Sequence, residues 1–176
     1  MGTRSGDIDP GLLFAMIESE GADGHHHGVA AVKQELNRSS GLKGICGTND
    51  MREILGKEGE DEGCALALDM FAHRIKKYIG SYYALLNGKV DALVFTGGIG
   101  ENMPFPLLKR VVGDLDGLGF KMKDMGTRSD SEDVVSWSDS SSIPILSILT
   151  DEELAIAQQV QHQCEMPHGA AGKINM

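Results

Sequence analysis

Two short apolar runs have the pattern of buried β-strands. Residues 92–95 form a continuous apolar run (Ala-Leu-Val-Phe), and residues 143–149 (Ile-Pro-Ile-Leu-Ser-Ile-Leu) form a mainly apolar segment with a proline near its start. A continuous apolar run is typical of a strand whose two faces are both covered by helices. A weaker run at residues 134–137 predicts a third strand in an otherwise polar loop. The chain therefore has candidate strands for a buried sheet.

Several segments outside these strands have apolar residues at helical spacing. The longest such segment is 61–86, and shorter ones begin at residues 10, 29, 51, 107 and 150. Residues 37–41 predict a turn that ends the helix beginning at 29. The predicted apolar face of the longest helix consists of Leu66, Met70, Ile75, Ile79, Tyr82, Tyr83 and Leu86. Strands mixed with helices in this way indicate an α/β fold.

Short polar side chains stand where several of these helices begin. Asp9 precedes a proline that can open a helix, and Asn49 or Asp50 can cap the helix beginning near residue 51. Thr150 and Glu153 have the spacing of a capping box. These residues predict the helix starts without any reference to function.

A glycine cluster follows the first strand. Gly97, Gly98 and Gly100 lack Cβ atoms, so the backbone there can bend sharply and approach a ligand closely. Turns at the C-terminal ends of strands are where α/β sheets usually bind nucleotides. The alternative is a tight connection between a strand and a helix, with no ligand.

The composition excludes several classes of protein. A formal net charge of -10, with no basic stripe, argues against a nucleic-acid surface. No apolar stretch is long enough to cross a membrane, and no signal-peptide pattern is present. The three cysteines, Cys46, Cys64 and Cys164, have no CxxC spacing, which favours a reduced intracellular chain without disulfides. The consecutive histidines at 25–27 predict an exposed loop, since neighbouring side chains diverge.

Two arginines are candidates for binding an anion. Arg4 lies in a turn-rich loop and has the forked donor set that suits a carboxylate or a phosphate. Its alternative role is a surface ion pair with Asp7 or Asp9. Arg52, beside Asp50, either binds a ligand or lies at a helix start with no further role.

Five blocks of this sequence resemble the acetate kinase family and occur in that family's order. They are GTRSGDIDPG at 2–11, SGLKGICGTNDMRE at 40–53, LALDMFAHRIKKYIGSYYA at 66–84, LVFTGGIGEN at 93–102 and TDEELAIA at 150–157. The resemblance implies a partial actin-like (ribonuclease H-like) ATPase domain, with a mixed sheet flanked by helices. It covers only the C-terminal half of that family's pattern. We therefore expect an incomplete domain over residues 1–163 that lacks its N-terminal strands, followed by a disordered tail at 164–176.

The resemblance also implies a reaction and a set of site residues. The family transfers a phosphoryl group between ATP and acetate, giving ADP and acetyl phosphate, with Mg²⁺. Arg4 corresponds to an arginine that stabilises the phosphoryl group in flight, and Glu152 corresponds to a residue of the Mg²⁺ site. Asp151 replaces the asparagine that is usual beside it. The nucleotide-binding residues implied are Asp50, Met51, Arg52, Gly98, Ile99, Gly100, Glu101 and Asn102.

The resemblance leaves three functions open. The first is acetate kinase chemistry carried by this part of the cleft, in a cytoplasmic enzyme that forms a homodimer when full-length. The second is an inactive fragment that retains nucleotide or dimer contacts. The third is a kinase for another short-chain carboxylate, propionate or butyrate, because the motifs do not define the acyl pocket.

Overall fold

Helices and three short strands make up the described part of the computed structural model, which is residues 2–19, 28–123 and 133–165. The elements in chain order are α1 (Pro10–Glu18), α2 (Val29–Gln34), a π-helix (Glu35–Ser39), α3 (Gly41–Cys46), α4 (Met51–Lys57), α5 (Glu62–Leu85), β1 (Leu93–Phe95), α6 (Gly97–Glu101), α7 (Phe105–Val112), a 3₁₀ turn (Asp116–Leu118), β2 (Val134–Ser136), β3 (Ile145–Ile148) and α8 (Glu152–Glu165). The predicted histidine loop and residues 166–176 of the predicted tail lie outside the described residues, whereas residues 164 and 165 belong to α8.

The sheet is mixed and has β3 at its centre. Its strand order is β1-β3-β2, with β1 parallel to β3 and β2 antiparallel to it. Ser147 of β3 lies opposite Phe95 on one side and Val135 on the other. The three strands predicted from the apolar runs are all present, and the predicted α/β class with a mixed sheet flanked by helices is confirmed.

The prediction that the first strand is buried on both faces is wrong. β1 begins at Leu93, and Val94 is 45% exposed while Phe95 is buried. The reason is that Val94 and Phe95 point to opposite faces of the sheet, and the face at Val94 is not covered by another described element. An apolar run predicts a strand, but it does not show how many layers cover that strand.

Helix α5 packs through its small side chains, which differs from the predicted apolar face. Its buried residues are Cys64, Ala67, Leu68 and Ala72. Four members of the predicted face are exposed instead, namely Leu66, Met70, Tyr82 and Leu86. Small residues let α3, α4 and α7 approach α5 closely, so these residues form the contact surface. The predicted residues Ile75, Ile79 and Tyr83 do pack against the core, as partly buried side chains.

The predicted helix caps are largely correct. Asp9 accepts a hydrogen bond from the Gly11 amide (2.7 Å) and caps α1, and Asp50 caps α4 through the Arg52 amide (3.0 Å). The predicted turn at residues 37–41 is wrong, because the chain continues from α2 into the π-helix before α3 begins. The three cysteines are free thiols, of which Cys64 is buried, Cys46 is partly buried and Cys164 is exposed. Within the described residues, no helix is both long and apolar enough to cross a membrane.

We expect Leu68→Ala to lower the free energy of unfolding by about 2–5 kcal/mol, because it removes a fully buried side chain and leaves a cavity. Leu68 is 0% exposed in α5, whereas Leu85 of the same helix is 75% exposed and provides the matched control. Leu85→Ala should change the free energy by no more than about 0.5 kcal/mol. Urea unfolding of both variants measures the difference. Equal effects at the two positions would contradict the assigned core face of α5.

Candidate functional site

The N-terminal segment, residues 2–7, is attached to the π-helix by its backbone. The Ser5 amide donates to the Leu36 carbonyl (2.9 Å), and the Thr3 hydroxyl donates to the Asn37 carbonyl (3.1 Å). The Ser40 amide in turn donates to the Thr3 carbonyl (3.1 Å). These bonds place Arg4 beside the π-helix. Short π-helical segments occur frequently at functional sites.

The other end of the N-terminal segment is held by α5. The Asp7 carboxylate forms an ion pair with the Arg74 guanidinium (2.6 Å) and accepts a hydrogen bond from the Tyr78 hydroxyl (2.9 Å). The Arg74 guanidinium and then the Tyr78 hydroxyl keep the pKa of Asp7 below its ordinary value. Asp7 and Asp9 are therefore engaged elsewhere, and neither forms an ion pair with Arg4 among the described residues. This excludes the surface ion pair that was the alternative role for Arg4.

Arg4 lines a cleft of about 730 Å³ with two other cations, which we call the basic cleft. Its lining residues are Thr3, Arg4, Ala30, Lys33, Gln34, Asn37 and Arg38. Lys33 lies near the end of α2 and Arg38 lies in the π-helix. Lys33 and Arg38 were not among the predicted site residues, because nothing in the local pattern shows that the π-helix faces residue 4. The cleft has no carboxylate among its described lining residues, so it favours an anion.

A second cleft of about 730 Å³ brings together two segments that are distant in the chain, and we call it the glycine cleft. Its lining residues are Asn49, Asp50, Met51, Arg52, Leu55, Gly98, Ile99, Asn102 and Pro104. Six of the eight residues predicted to bind nucleotide are among them, and Gly100 and Glu101 are not. Arg4 belongs to the basic cleft. A Cβ placed on Gly2 would lie 3.5 Å from the Asn49 Cβ, so the N-terminal segment reaches the rim of the glycine cleft.

Asp50 and Arg52 pair with each other on one side of the glycine cleft. The Arg52 guanidinium donates to both carboxylate oxygens of Asp50, at 3.0 Å from Nε and 2.6 Å from Nη2. This pairing, together with the backbone bond to Asp50, lowers the pKa of Asp50 to about 2. Asp50 therefore remains ionised at neutral pH. Its position is explained by capping and pairing, while the Arg52 side chain stays 91% exposed at the cleft.

The three glycines of the cluster have different structural roles. Gly97 has a φ of +72°, which favours glycine. A Cβ on Gly100 would lie 3.2 Å from the Phe95 carbonyl carbon, so glycine there allows α6 to approach β1 closely. Gly98 has neither constraint, because a Cβ there would meet no atom within 4 Å. Gly98 lines the cleft, so a larger side chain would project towards a ligand.

Glu101 connects the glycine cluster to the start of α8. Its carboxylate accepts hydrogen bonds from the Thr150 amide (3.1 Å) and the Thr150 hydroxyl (2.9 Å). The predicted capping box of Thr150 with Glu153 is therefore wrong. Asp151 is the capping residue instead, since its carboxylate accepts from the Leu154 amide at 2.8 Å. The Thr150 hydroxyl points to Glu101 because that carboxylate lies nearby in the fold, which the local spacing cannot show.

Glu152 is exposed in the first turn of α8, two residues after Thr150. Among the described residues, no group of three or more histidine, cysteine, aspartate or glutamate side chains could hold a metal ion by itself. Mg²⁺ commonly takes one or two carboxylates and completes its shell with water and substrate phosphates. The donor set at Glu152 therefore fits an ion that arrives with a phosphate ligand, and it does not form a metal site alone.

Comparison with known proteins gives one consistent result. The profile described as "Acetokinase family" matches residues 1–158. The chain is 45% identical to the acetate kinase of Streptomyces avermitilis over 162 residues, which is 90% of this chain and 38% of that protein. The acetate kinase structure of Porphyromonas gingivalis superposes with a TM-score of 0.81 at 36% identity, covering 94% of this chain and 40% of the other. A propionate kinase structure from Francisella tularensis superposes with a TM-score of 0.76 at 44% identity, covering 90% and 39%.

We expect Gly97→Ala to destabilise the protein and Gly98→Ala not to. An alanine at the positive φ of residue 97 costs about 1–2 kcal/mol of backbone strain. An alanine at residue 98 enters open space within α6, where it is a better helix former than glycine by about 1 kcal/mol. Chemical denaturation of both variants measures the contrast. A Gly98→Ala variant as unstable as Gly97→Ala would show that the cluster is constrained throughout.

Proposed function

The chain belongs to the acetokinase family, and on this basis we propose that it forms the nucleotide side of a cleft in which a phosphoryl group moves between ATP and acetate. The products are ADP and acetyl phosphate. The observation that carries the proposal is the glycine cleft, where residues 49–55 and residues 98–104 meet although they are distant in sequence. The chain spans about 38% of the length of the curated relatives described above, so this activity is proposed for the complete enzyme.

The nucleotide is proposed to bind in the glycine cleft. Its volume of about 730 Å³ lies within the range of about 300–1,000 Å³ that is usual for small-molecule sites. The absence of a side chain at Gly98 lets a ligand approach the backbone, while the Leu55 and Met51 side chains supply an apolar wall. Arg52 supplies a cation beside the cleft, and its pairing with Asp50 leaves part of the guanidinium exposed. These features suit a base or ribose next to an anionic group.

The transferred phosphoryl group is proposed to meet the basic cleft. Both acetate and the phosphoryl group are anionic, so their approach requires positive charge at the point of transfer. Arg4 supplies a planar guanidinium there, and Lys33 and Arg38 line the same cleft. Acetate is already a nucleophile at neutral pH, so no strong base is required. The contribution of these side chains is therefore positioning and neutralisation of charge.

Mg²⁺ is proposed to accompany the nucleotide, with Glu152 as one of its carboxylate ligands. The ion, when bound, neutralises phosphate charge and fixes the phosphate geometry. Thr150 is hydrogen-bonded to Glu101 at the end of the glycine cluster, and α8 begins two residues later at Glu152. Glu152 is therefore proposed as a ligand because the start of α8 is attached to the glycine cluster. Acidic side chains in the first turn of a helix are also favoured by the helix dipole.

The carboxylate substrate is proposed to be acetate or propionate. The propionate kinase from Francisella tularensis, at 44% identity, is as similar in sequence as the acetate kinases are. The basic cleft, where Arg4 lies, is lined mainly by polar and cationic side chains, and its described lining residues do not form an apolar pocket that would measure an acyl chain. Activity assays with acetate, propionate and butyrate would therefore identify the preferred carboxylate substrate.

We expect Gly98→Val to weaken ADP binding to the chain by about tenfold or more, which corresponds to about 1.4 kcal/mol. The valine side chain would project into the glycine cleft while leaving the fold intact, since no atom lies within 4 Å of the added Cβ. Gly80→Val is the matched control, because Gly80 is also a helical glycine with open space around its Cβ. Calorimetric titration with ADP and thermal melts of each variant provide the two readouts.

Unchanged ADP affinity in Gly98→Val, with normal binding in the Gly80→Val control, would place the nucleotide elsewhere. Absence of ADP binding by the unmodified chain would contradict the proposal for the isolated chain and favour an inactive fragment.

We expect Arg4→Ala to lower kcat by about 10²–10³-fold in an active graft, with a smaller change in the KM for ATP. The graft joins residues 1–176 to the N-terminal part of an active homologue, because one side of a cleft cannot position both reactants. Arg4→Lys should restore little activity, since lysine keeps the charge but loses the fork. Lys89→Ala, at an exposed position outside both clefts, is the control for loss of positive charge. An unchanged kcat in the Arg4→Ala graft would show that Arg4 takes no part in the reaction.

A further inference from the structure

Ser147 is a buried polar residue in the middle of the sheet. It is 2% exposed, and among the described residues it is the one polar side chain in the buried class. It lies on β3, opposite Phe95 of β1 and Val135 of β2. A buried hydroxyl is unfavourable unless it is hydrogen-bonded, so its partners explain why it is tolerated there.

Both hydrogen-bonding functions of the Ser147 hydroxyl are used. Its oxygen accepts from the Trp137 indole Nε1 at 3.0 Å, and it donates to the Gly100 carbonyl at 3.3 Å. An indole nitrogen can only donate, and a carbonyl can only accept. The direction of both bonds is therefore fixed by chemistry. Trp137 holds the hydroxyl so that its single proton points to Gly100.

The two partners of Ser147 are both connected to the segment that lines the glycine cleft. Gly100 is in α6 with the cleft residues Gly98 and Ile99, and the cleft residue Asn102 directly follows this helix. The Trp137 ring packs on Phe105, with ring centroids 6.3 Å apart, and Phe105 begins α7 directly after the cleft residue Pro104. One contact therefore lies within residues 98–104 and the other lies directly after them, and Ser147 takes part in the first and is bonded to Trp137 of the second.

We propose that Ser147 is a positioning residue for nucleotide binding, acting through its bond to the Gly100 carbonyl. The bond holds α6 against the end of β3, so that the glycine cleft keeps the shape in which a ligand fits. Trp137 acts one step further away by orienting the Ser147 hydroxyl. The effect on nucleotide affinity rests on the function proposed above, whereas the effect on the order of α6 does not.

A pair of variants separates this role from a general effect on stability. Ser147→Ala removes the bond to Gly100 and also leaves the Trp137 N–H buried without a partner, which is the costlier loss. The double variant Ser147→Ala/Trp137→Phe removes the unsatisfied N–H as well, but it does not restore the bond to Gly100. Ile145→Val, on the same strand and fully buried, is a control that weakens the core without touching either bond.

The experiment combines hydrogen exchange of the amides of residues 97–102 with calorimetric ADP titration and a thermal melt for each variant. We expect exchange in this segment to accelerate by about fivefold or more in both Ser147 variants, from the loss of one hydrogen bond. ADP affinity should fall in parallel. The double variant should melt closer to the parent than Ser147→Ala does, and Ile145→Val should lower the melting temperature without selective acceleration in this segment.

Exchange that is unchanged at residues 97–102, or that accelerates equally across the sheet and in Ile145→Val, would overturn the proposal. Selective acceleration with unchanged ADP affinity would also overturn it, since α6 would then be ordered for a reason unrelated to the ligand. If the parent chain binds no ADP, the proposed function fails for this chain, and the exchange data alone decide whether Ser147 orders α6. Should Ser147→Ala not fold, the double variant provides the same comparison.

Discussion

The attachment of the glycine cluster to the end of β3 is the constraint on which the site depends. Three hydrogen-bonding contacts make this attachment, two from a hydroxyl to a backbone carbonyl and one to a carboxylate. The Thr96 hydroxyl donates to the Ile148 carbonyl (3.0 Å), Ser147 donates to the Gly100 carbonyl, and Glu101 accepts from Thr150. β3 itself is paired with a strand on each side, so it is the most firmly held strand of the sheet. The shape of the glycine cleft therefore depends on these bonds to the sheet as well as on the glycine-rich segment itself.

The electrostatics of the two clefts follow from which charged groups are already paired. Asp7 forms an ion pair with Arg74, and Asp50 forms one with Arg52. The basic cleft keeps three cations without an ion pair among the described residues, in a chain whose formal net charge is -10. A local excess of positive charge in an acidic protein attracts a small anion to one place. This contrast supports the assignment of the basic cleft to the phosphoryl group.

The apolar surface of the described residues agrees with the short span of the chain relative to its relatives. Val94 is exposed on β1, and the α8 side chains Leu154, Ile156 and Val160 are exposed as well. The chain covers about 40% of the acetate kinase structure that it superposes on. Exposed apolar strands and helix faces are usually covered by another part of a protein. We therefore propose the chemistry for the complete enzyme only, and we propose the nucleotide contacts for this chain.

Features that depend on neighbouring residues in the chain could be predicted from the sequence. Strand and helix positions follow from apolar periodicity, and Asp9 and Asp50 cap helices because a cap bonds to amides two or three residues away. The predicted site residues came from recognisable blocks, and six of the nucleotide set do line one cleft. The other features could not be predicted, because they depend on residues far apart in sequence. They are the bond between Thr150 and Glu101, the choice of the buried face of α5, and the approach of Lys33 and Arg38 to the cleft of Arg4. Packing and long-range hydrogen bonds produce these features and leave no local pattern in the sequence.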